Sequence, residues 1–292
     1  MATSELRLTA QSSLSPSEMD DVGGLVHEAN WNQVAADWRI FLAHGRVYTA
    51  HDGTGRIVAT TATLPYGGRF AWISMVLVTG SYRRRGLATL LMRRAVDDLT
   101  GRDLVPVLDA TPDGRAVYRA LGFEDSWGFH RLTRGQRPGA PETVPAPAGV
   151  TIRALTEQDW RPLTAYDAAA FGAERGGVLE GLRGRLPAAE LIAERDGRVA
   201  GFLLGRDGRM AAQLGPLLAE DDAIACALLA RALAALDGPL FVDLADAKAD
   251  VRSFLAARGF TAVRPLTRMI YRASTRFDDA ARTYAVVGPE FG

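Results

Sequence analysis

The sequence predicts an α/β protein built from two tandem copies of one fold. Strand and helix signals alternate along its 292 residues, and the same order of signals occurs twice. A stretch at 135–149, GQRPGAPETVPAPAG, separates the two series, and its four prolines favour extended, semi-rigid backbone. We therefore expect one domain at residues 1–135, a linker at 136–149 and a second domain at 150–292.

The first copy opens with helix signals followed by a hairpin. Ser15 and Glu18 are typical of a helix start, and that helix is predicted to run to residue 28. A shorter helix is predicted at 37–42. Two β-rich runs at 46–50 and 56–63 flank HDGTG, which is a good hairpin turn.

The rest of the first copy centres on one apolar strand and one amphipathic helix. The run WISMVLV at 72–78 predicts a strand buried on both faces. Apolar residues recur at helical spacing over 87–99, with arginines and aspartates on the other face. A strand at 104–108, a helix at 115–121 ended by Gly122, and a strand at 127–132 complete the copy.

The second copy repeats this order, and RALGF at 119–123 recurs as AARGF at 256–260. In chain order we predict a strand at 151–153, a helix at 157–170, strands at 190–193, 199–204 and 210–218, a helix at 223–236, a strand at 240–244, a helix at 251–257 and a strand at 268–271.

Composition excludes several classes of protein. With 34 basic and 34 acidic residues the formal net charge is zero, so nothing indicates a nucleic acid or an anionic membrane as partner. Cys226 is the one cysteine and there are four histidines, so we expect neither an internal disulfide nor a metal site. Lys248 is the one lysine. The start of the chain has no signal-peptide pattern, and we expect a cytoplasmic protein, a monomer or a homodimer.

The strongest functional signal is VTGSYRRRGLAT at 78–89, where an apolar strand leads through an Arg/Gly turn into a helix. Such a turn directs backbone N–H groups to one place at the positive end of the helix dipole, which suits phosphate groups. Gly86 permits close approach and Ala88 keeps the first helical turn slim. The alternative is a solvated arginine run that happens to begin a helix.

This motif has a second part. Arg83-x-x-Gly86-x-Ala88 is followed about thirty residues later by Tyr118-x-x-Leu121-Gly122-Phe123. The pair resembles the GNAT superfamily of acyl-CoA-dependent N-acyltransferases, and the tandem order with the closing YAVVGPEFG resembles a bacterial two-domain type. The resemblance implies that each copy is GNAT-like, with a mixed, mostly antiparallel central sheet flanked by helices.

The resemblance also implies acetyl-CoA as co-substrate and no metal. Backbone N–H groups would hold its pyrophosphate, and the strand would pair with its pantetheine arm. A backbone N–H near Val76 or Leu77 would polarise the thioester carbonyl. The cofactor-binding residues carried over are Met75, Val76, Leu77, Val78, Arg83, Arg84, Arg85, Gly86, Leu87, Ala88 and Thr89.

The catalytic residues carried over are fewer. Tyr118 matches the tyrosine that protonates the leaving thiolate, although it could instead be a packed core aromatic. Relatives often have a glutamate on the strand where this chain has Ser74, which leaves the base open. Asp109 is our first candidate for the base, with Glu28 and Asp37 weaker. Asp109 could instead cap the turn at 111–114, and an amine that arrives deprotonated would need no base.

The residues that would bind the acceptor of the acetyl group are indicated only by their composition. Glu28, Trp31 and Asn32, with Gln33 and Trp38, lie where relatives bind the acceptor, although core packing is an alternative, above all for Trp38. We expect the amine of a small molecule as acceptor. The alternatives are acetylation of a protein or peptide amine, and a non-catalytic acyl-CoA-binding module.

The second copy lacks the phosphate motif. In place of the Arg/Gly turn it has AEDDAI at 219–224, whose three carboxylates cap a helix but repel a pyrophosphate. We therefore expect that this copy does not bind coenzyme A. Its expected role is to pack on the first copy and help to form the acceptor pocket, with a strand or tail at 285–291 contributing.

Overall fold

A computed structural model describes residues 6–136 and 144–292 of the chain. These divide into two compact units. The first comprises the described chain up to Leu108 together with Phe291, and the second runs from Asp109 to Glu290 with Gly292. The predicted boundaries at 135 and 150 follow the sequence repeat, not this division, and they stay predictions. Much of the predicted linker, residues 137–143, lies outside the described residues.

The first unit is a sheet with helices, in strand order β1-β2-β3-β4-β5. All neighbouring strands are antiparallel except β4 and β5, which are parallel. Its elements are β1 (Arg7–Gln11), α1 (Pro16–Glu28), α2 (Ala35–His44), β2 (Arg46–His51), β3 (Ile57–Tyr66), β4 (Phe70–Val78), α3 (Leu87–Thr100) and β5 (Val105–Ala110), whose last two residues belong to the second unit.

Local sequence explains how these elements begin. Ser15 and Glu18 form a capping box at the start of α1, in which each side chain bonds the backbone N–H of the other residue. Helix α3 turns six apolar residues into the core of the unit and its arginines and aspartates outward.

Phe291 fills part of the core of the first unit. Its ring stacks on Phe41 with 5.0 Å between ring centroids, and its carbonyl oxygen accepts a 2.8 Å hydrogen bond from the Tyr66 hydroxyl. Phe41 also packs edge-on against Trp38. A residue near the end of the sequence thus belongs to the hydrophobic core of the first unit.

The second unit has the strand order β12-β6-β11-β13-β10-β9-β8-β7. Strands β10 and β11 are parallel, and the remaining paired strands are antiparallel. Its elements are α4 (Pro112–Ala120), β6 (Phe123–Arg134), β7 (Val150–Ala154), α5 (Trp160–Phe171), α6 (Gly176–Leu182), β8 (Leu191–Arg195), β9 (Arg198–Arg206), β10 (Ala212–Ala219), α7 (Asp222–Leu233), β11 (Leu240–Ala245), α8 (Ala249–Ala256), β12 (Thr261–Tyr271) and β13 (Thr283–Ala285).

The last strand of the first sequence repeat, β6, is paired on both sides with strands of the second repeat. Its neighbours are β11, from Leu240–Arg134 to Ala245–Phe129, and β12, from Thr261–Thr133 to Tyr271–Phe123. The sequence repeats therefore do not each form a separate sheet within the second unit.

The predicted α/β fold class is confirmed, and most of the neighbouring strands are antiparallel. Helix α6 was not predicted, because its three glycines are poor helix formers. Burial of Val178, Leu179 and Leu182 stabilises it instead. Within residues 6–136 and 144–292, no helix combines the length and the apolar character needed to span a bilayer.

Candidate cofactor site

The end of β4 has a free edge. Parallel pairing with β5 runs from Phe70–Val105 to Trp72–Val107 and stops there, whereas β4 continues to Val78. On its other side, β4 pairs with β3 as far as Val78–Ala59. Within the first unit as described, the last residues of β4 therefore have a strand partner on one side only.

The direction of the backbone N–H groups at this edge follows from strand alternation. The Thr79 N–H donates to the Val58 carbonyl of β3 at 3.0 Å. Because successive N–H groups of a strand point to opposite sides, that of Leu77 faces β3 and those of Val76 and Val78 face the free edge. Of the two predicted donors to a thioester carbonyl, Val76 has the suitable direction.

A bulge precedes these residues. The register between β3 and β4 shifts between Thr60 and Ala62, and Met75 has a φ of 51°. The Thr60 hydroxyl donates to the Met75 carbonyl at 2.8 Å, which fixes the bulge. A bulge bends a strand and re-aims its backbone, so it sets the course of the free edge.

The turn after β4 leaves the start of α3 uncapped. Gly86, the N-cap residue, has a φ of 80° and no side chain to accept from the helix, and the first turn of α3 has no acidic residue. The N–H groups of Leu87, Ala88 and Thr89 have no acceptor within the helix, because its first bond runs from the Leu90 N–H to the Gly86 carbonyl. A Cβ built on Gly86 would meet nothing within 4 Å, so the space beside it is open.

The three arginines of the turn are exposed and differ in their contacts. Arg83 donates from Nε to the Val78 carbonyl at 3.0 Å and from Nη2 to Glu28 at 3.2 Å. Arg85 lies over the Tyr82 ring, 4.9 Å from its centroid, and Arg84 has a φ of 59°. The guanidinium of Arg83 thus fastens the turn, and its predicted contact with the cofactor stays a prediction.

Glu28 lies against this turn. Its carboxylate accepts from the Thr79 hydroxyl at 2.8 Å, from the Gly80 N–H and from Arg83. The hydrogen bond from Thr79, together with that from Gly80 and the charge of Arg83, lowers the pKa of Glu28. The sequence placed Glu28 on the acceptor side, and that role stays a prediction.

The other residues expected near the acceptor occupy the α1–α2 connection and the first turn of α2. Trp31 is half-buried, and Asn32 is buried at 1% exposure. The Gln33 Oε1 and Trp38 Nε1 atoms are buried, with no hydrogen-bond partner in the described part of the chain. Asp37, the weaker candidate base, is buried and accepts from the Val34 N–H at 2.8 Å as a helix cap.

Tyr118 lies on α4 in the second unit. Its half-buried ring packs edge-on against Phe123 at 6.2 Å, and a Cβ on Gly114 would come within 2.9 Å of it. Its hydroxyl has no hydrogen-bond partner among the described residues. Burial raises the pKa of Tyr118 to about 12, so the hydroxyl is protonated at neutral pH. An unengaged, protonated hydroxyl suits a general acid.

Asp109, the candidate base, forms a buried ion pair. Both of its oxygens accept from Arg268 of β12 at 2.9 Å, and its side chain has no solvent exposure. Burial raises the pKa of Asp109 to about 6, against the opposing effect of Arg268. The turn that Asp109 could have capped is capped by Thr111, which accepts from the Gly114 N–H at 3.3 Å. Its role as a base stays a prediction.

The corresponding helix start in the second repeat is closed. Asp221 caps α7 and accepts from the Ile224 N–H at 2.9 Å. Arg195 pairs with Asp221 at 3.0 Å and with Glu220 at 2.8 Å. The N-terminal anion position of α7 is therefore taken by carboxylates of the chain itself.

The corresponding strand edge is closed as well. Parallel pairing of β10 with β11 ends at Leu214–Val242, and beyond it β13 pairs with both strands through Ala285. The Tyr284 hydroxyl donates to Asp222 at 2.6 Å and ties β13 to α7. Strand β13 (Thr283–Ala285) thus closes the edge of β10, and it ends where the predicted strand or tail at 285–291 begins. No group of side chains suited to a metal ion occurs in the described ranges.

Two family models match this chain. One, an acetyltransferase (GNAT) family model, matches residues 13–123, and another, an acetyltransferase (GNAT) domain, matches residues 163–285. The matches cover both sequence repeats, including the turn at 83–88 and the start of β6.

Relatives of known sequence or structure are also acetyltransferases by their descriptions. The uncharacterized N-acetyltransferase YitH of Bacillus subtilis is 24% identical over 245 residues, which are 82% of this chain and 85% of that protein. A putative acetyltransferase from Pyrococcus horikoshii has a TM-score of 0.76 at 20% identity and covers 100% of this chain and 98% of its own.

A tandem GNAT protein from the clavulanic acid biosynthesis pathway is also similar in fold. Its TM-score is 0.65 at 16% identity, over 91% of this chain and 98% of its own. At such identities the two structures establish the fold, and the family models establish the family. The chain belongs to the GNAT superfamily of N-acetyltransferases and carries two GNAT domains in tandem.

Proposed function

We propose that this protein transfers an acetyl group from acetyl-CoA to the amine of a small molecule, by direct attack of the amine on the thioester. The observation that carries the proposal is the uncapped start of α3 directly after the free edge of β4. A co-substrate with a pyrophosphate and an extended amide-containing arm has a complementary group for each feature.

The residues present fit coenzyme A. The N–H groups of Leu87, Ala88 and Thr89 would donate to the pyrophosphate at the positive end of α3, beside the open space at Gly86. The N–H groups of Val76 and Val78 would bond the pantetheine amides as an added strand does. No carboxylate in the first turn of α3 opposes the phosphate charge.

The chemical step needs a donor to the thioester carbonyl and an acid for the leaving group. The Val76 N–H would polarise the carbonyl while the amine nitrogen forms its bond to the carbonyl carbon. As the carbon–sulfur bond breaks, Tyr118 would give its hydroxyl proton to the thiolate sulfur. The attacking nitrogen loses one proton to solvent or to a base, and the Tyr118 phenolate regains a proton from solvent.

We favour an acceptor that binds as the free amine. Both oxygens of Asp109 are held by Arg268, so neither is available to a substrate proton without breaking the ion pair. Ser74, at the position where relatives often have a glutamate, cannot act as a base at neutral pH.

Two measurements test the proposal. Coenzyme A at about 100 times its Kd should stabilise the native state by about 2.7 kcal/mol, which thermal unfolding detects. A panel of small amines with acetyl-CoA should release free thiol with at least one of them. Stabilisation without turnover on any small amine, peptide amine or protein would instead indicate an acyl-CoA-binding module. Absence of both would disprove the proposed function.

A further inference from the structure

We propose that Glu28 is a positioning residue that holds the cofactor turn in its binding conformation through Thr79, Gly80 and Arg83. The inference rests on the proposed function, because the turn it concerns is the one assigned to the pyrophosphate. It gives Glu28 a role in cofactor affinity in place of contact with the acceptor.

Three donors converge on this one carboxylate. Oε2 accepts from the Thr79 hydroxyl at 2.8 Å, and Oε1 accepts from the Gly80 N–H and from Arg83 Nη2. Thr79 precedes the short 3-10 turn Gly80–Tyr82, and its own side chain does not cap that turn. Glu28, the last residue of α1, supplies the missing acceptor from a helix that is distant in sequence.

Arg83 closes the arrangement from the other end of the same short turn. Its Nε donates to the Val78 carbonyl at 3.0 Å while its Nη2 bonds Glu28. The end of β4 and both ends of the 3-10 turn are thus tied to one carboxylate.

The residues that follow need such support. Arg84 has a φ of 59° and Gly86 one of 80°, and a left-handed non-glycine residue costs about 1 kcal/mol. Sparsely populated conformations persist where neighbouring contacts fix them. By fixing residues 78–83, Glu28 sets the direction in which the chain enters Arg84 and α3, and so the direction of the N–H groups of α3.

The exposure of Glu28 and Arg83 indicates that their ion pair contributes little to global stability. The side chains of Glu28 and Arg83 are 38% and 53% exposed, and exposed ion pairs contribute little to folding. Binding, in contrast, is sensitive to preorganisation, because a turn that must be ordered on binding lowers affinity. Removal of Glu28 should therefore weaken cofactor binding and leave the melting temperature of the free protein nearly unchanged.

The geometry also offers a second way to remove the contact. A Cβ on Gly80 would lie 2.9 Å from Glu28 Oε1, so Gly80→Ala displaces the carboxylate without changing it. Asp20 provides the control, because it is an exposed carboxylate on the same helix without a partner among the described residues.

The test measures the Kd of coenzyme A by calorimetry for the full chain and for Glu28→Ala, Arg83→Ala, the double variant, Gly80→Ala and Asp20→Asn. We expect Glu28→Ala, Arg83→Ala and Gly80→Ala each to raise Kd about tenfold, with Asp20→Asn unchanged. The double variant should lose no more than the larger single loss, because both side chains act through one contact. In turnover assays, the KM for acetyl-CoA should rise while the KM for the amine stays the same.

Two results would overturn the inference alone: an unchanged Kd in both Glu28→Ala and Gly80→Ala, or losses that add fully in the double variant. Full additivity would mean that Arg83 binds the cofactor independently of Glu28. Failure of the wild-type chain to bind coenzyme A would instead overturn the proposed function and this inference together.

Discussion

The starts of α3 and α7 occupy the same place in the two repeats, but only the start of α3 is open to an anion from outside the chain. At α3, Gly86 leaves the helix N–H groups without a side-chain acceptor, whereas at α7 the Asp221 carboxylate accepts from the Ile224 N–H. A helix N-terminus favours negative charge. At α7 the chain itself supplies that charge, whereas at α3 it does not, and the proposed function assigns this place to the pyrophosphate of coenzyme A.

The strand edges beside these helices show the same contrast. The parallel pairs β4–β5 and β10–β11 both end after three residue pairs. In the first unit the rest of β4 keeps a free edge, while in the second unit β13 pairs with β10 and β11. The two repeats thus differ at this strand edge as well as at the start of the following helix.

The ion pairs at the ends of β5 and β11 extend the comparison. Among the described residues, Asp109 accepts only from Arg268, whereas Asp243 accepts from Arg131 at 2.8 Å and 2.6 Å and also from Gln213 at 2.7 Å. Asp109 thus depends more on its arginine than Asp243 does.

The largest expected effect is on stability. Arg268→Ala leaves Asp109 buried without its partner and should lower the free energy of unfolding by about 3–5 kcal/mol, measured by urea unfolding. Arg131→Ala should cost less, because Gln213 still donates to Asp243. Asp109→Asn combined with Arg268→Met removes both charges and should recover part of the loss. Equal losses for the single and the double variant would contradict this account.

The next effect concerns binding at α3. Gly86→Glu places a carboxylate at the open N-terminus, as in α7, and should abolish the stabilisation of about 2.7 kcal/mol expected from coenzyme A at 100 times its Kd. Thermal unfolding with and without coenzyme A measures it. Gly86→Ala is the matched control, because it has the same backbone cost at a φ of 80° without the charge. Equal binding by the glutamate and alanine variants would contradict the assignment of the turn.

The third effect concerns Tyr118. Its ring packs on Phe123 and its hydroxyl has no partner among the described residues, so removal of the hydroxyl should affect only the protonation of the leaving thiolate. Tyr118→Phe keeps the ring packed on Phe123 and removes the hydroxyl, and should lower kcat about 100-fold with the Kd of coenzyme A unchanged. With the pKa of Tyr118 raised to about 12, the acid stays protonated through neutral and mildly alkaline pH. The wild-type rate should therefore not fall between about pH 7 and 9 through loss of this proton. Unchanged turnover in the variant would show that Tyr118 is not the general acid and only packs against its neighbours.

What could be predicted from sequence depended on how local the signal was. The turn at 78–89 combines an apolar strand, a glycine and a helix within a dozen residues, and the structure has each of them there. The pair Asp109–Arg268 spans 159 residues, and the bond from Gly80 to Glu28 spans 52. No local pattern marks such pairs, because their partners are brought together only by strand pairing and helix packing.

The pairing of β6 with β11 and β12 was not predicted, for a related reason. The sequence of β6 indicates a strand but not the strands that pair with it, and the repeat RALGF/AARGF indicates only two copies of one fold in tandem. The sequence predicted a strand or tail at 285–291, whereas the strand is Thr283–Ala285, and its pairing with β10 and β11 depends on residues more than forty positions away.

The smallest effect tests whether the second repeat is closed by its cap alone. Asp221→Ala removes the side-chain acceptor of the Ile224 N–H and the partner of Arg195, and should cost about 1 kcal/mol of stability. It should not create a second coenzyme A site, because β13 still pairs with β10 and β11 and Tyr284 still bonds Asp222. Calorimetry on the variant should give the same stoichiometry as the wild-type chain. A second equivalent of bound coenzyme A would show that the carboxylate at α7, not the strand beside it, keeps the second repeat closed.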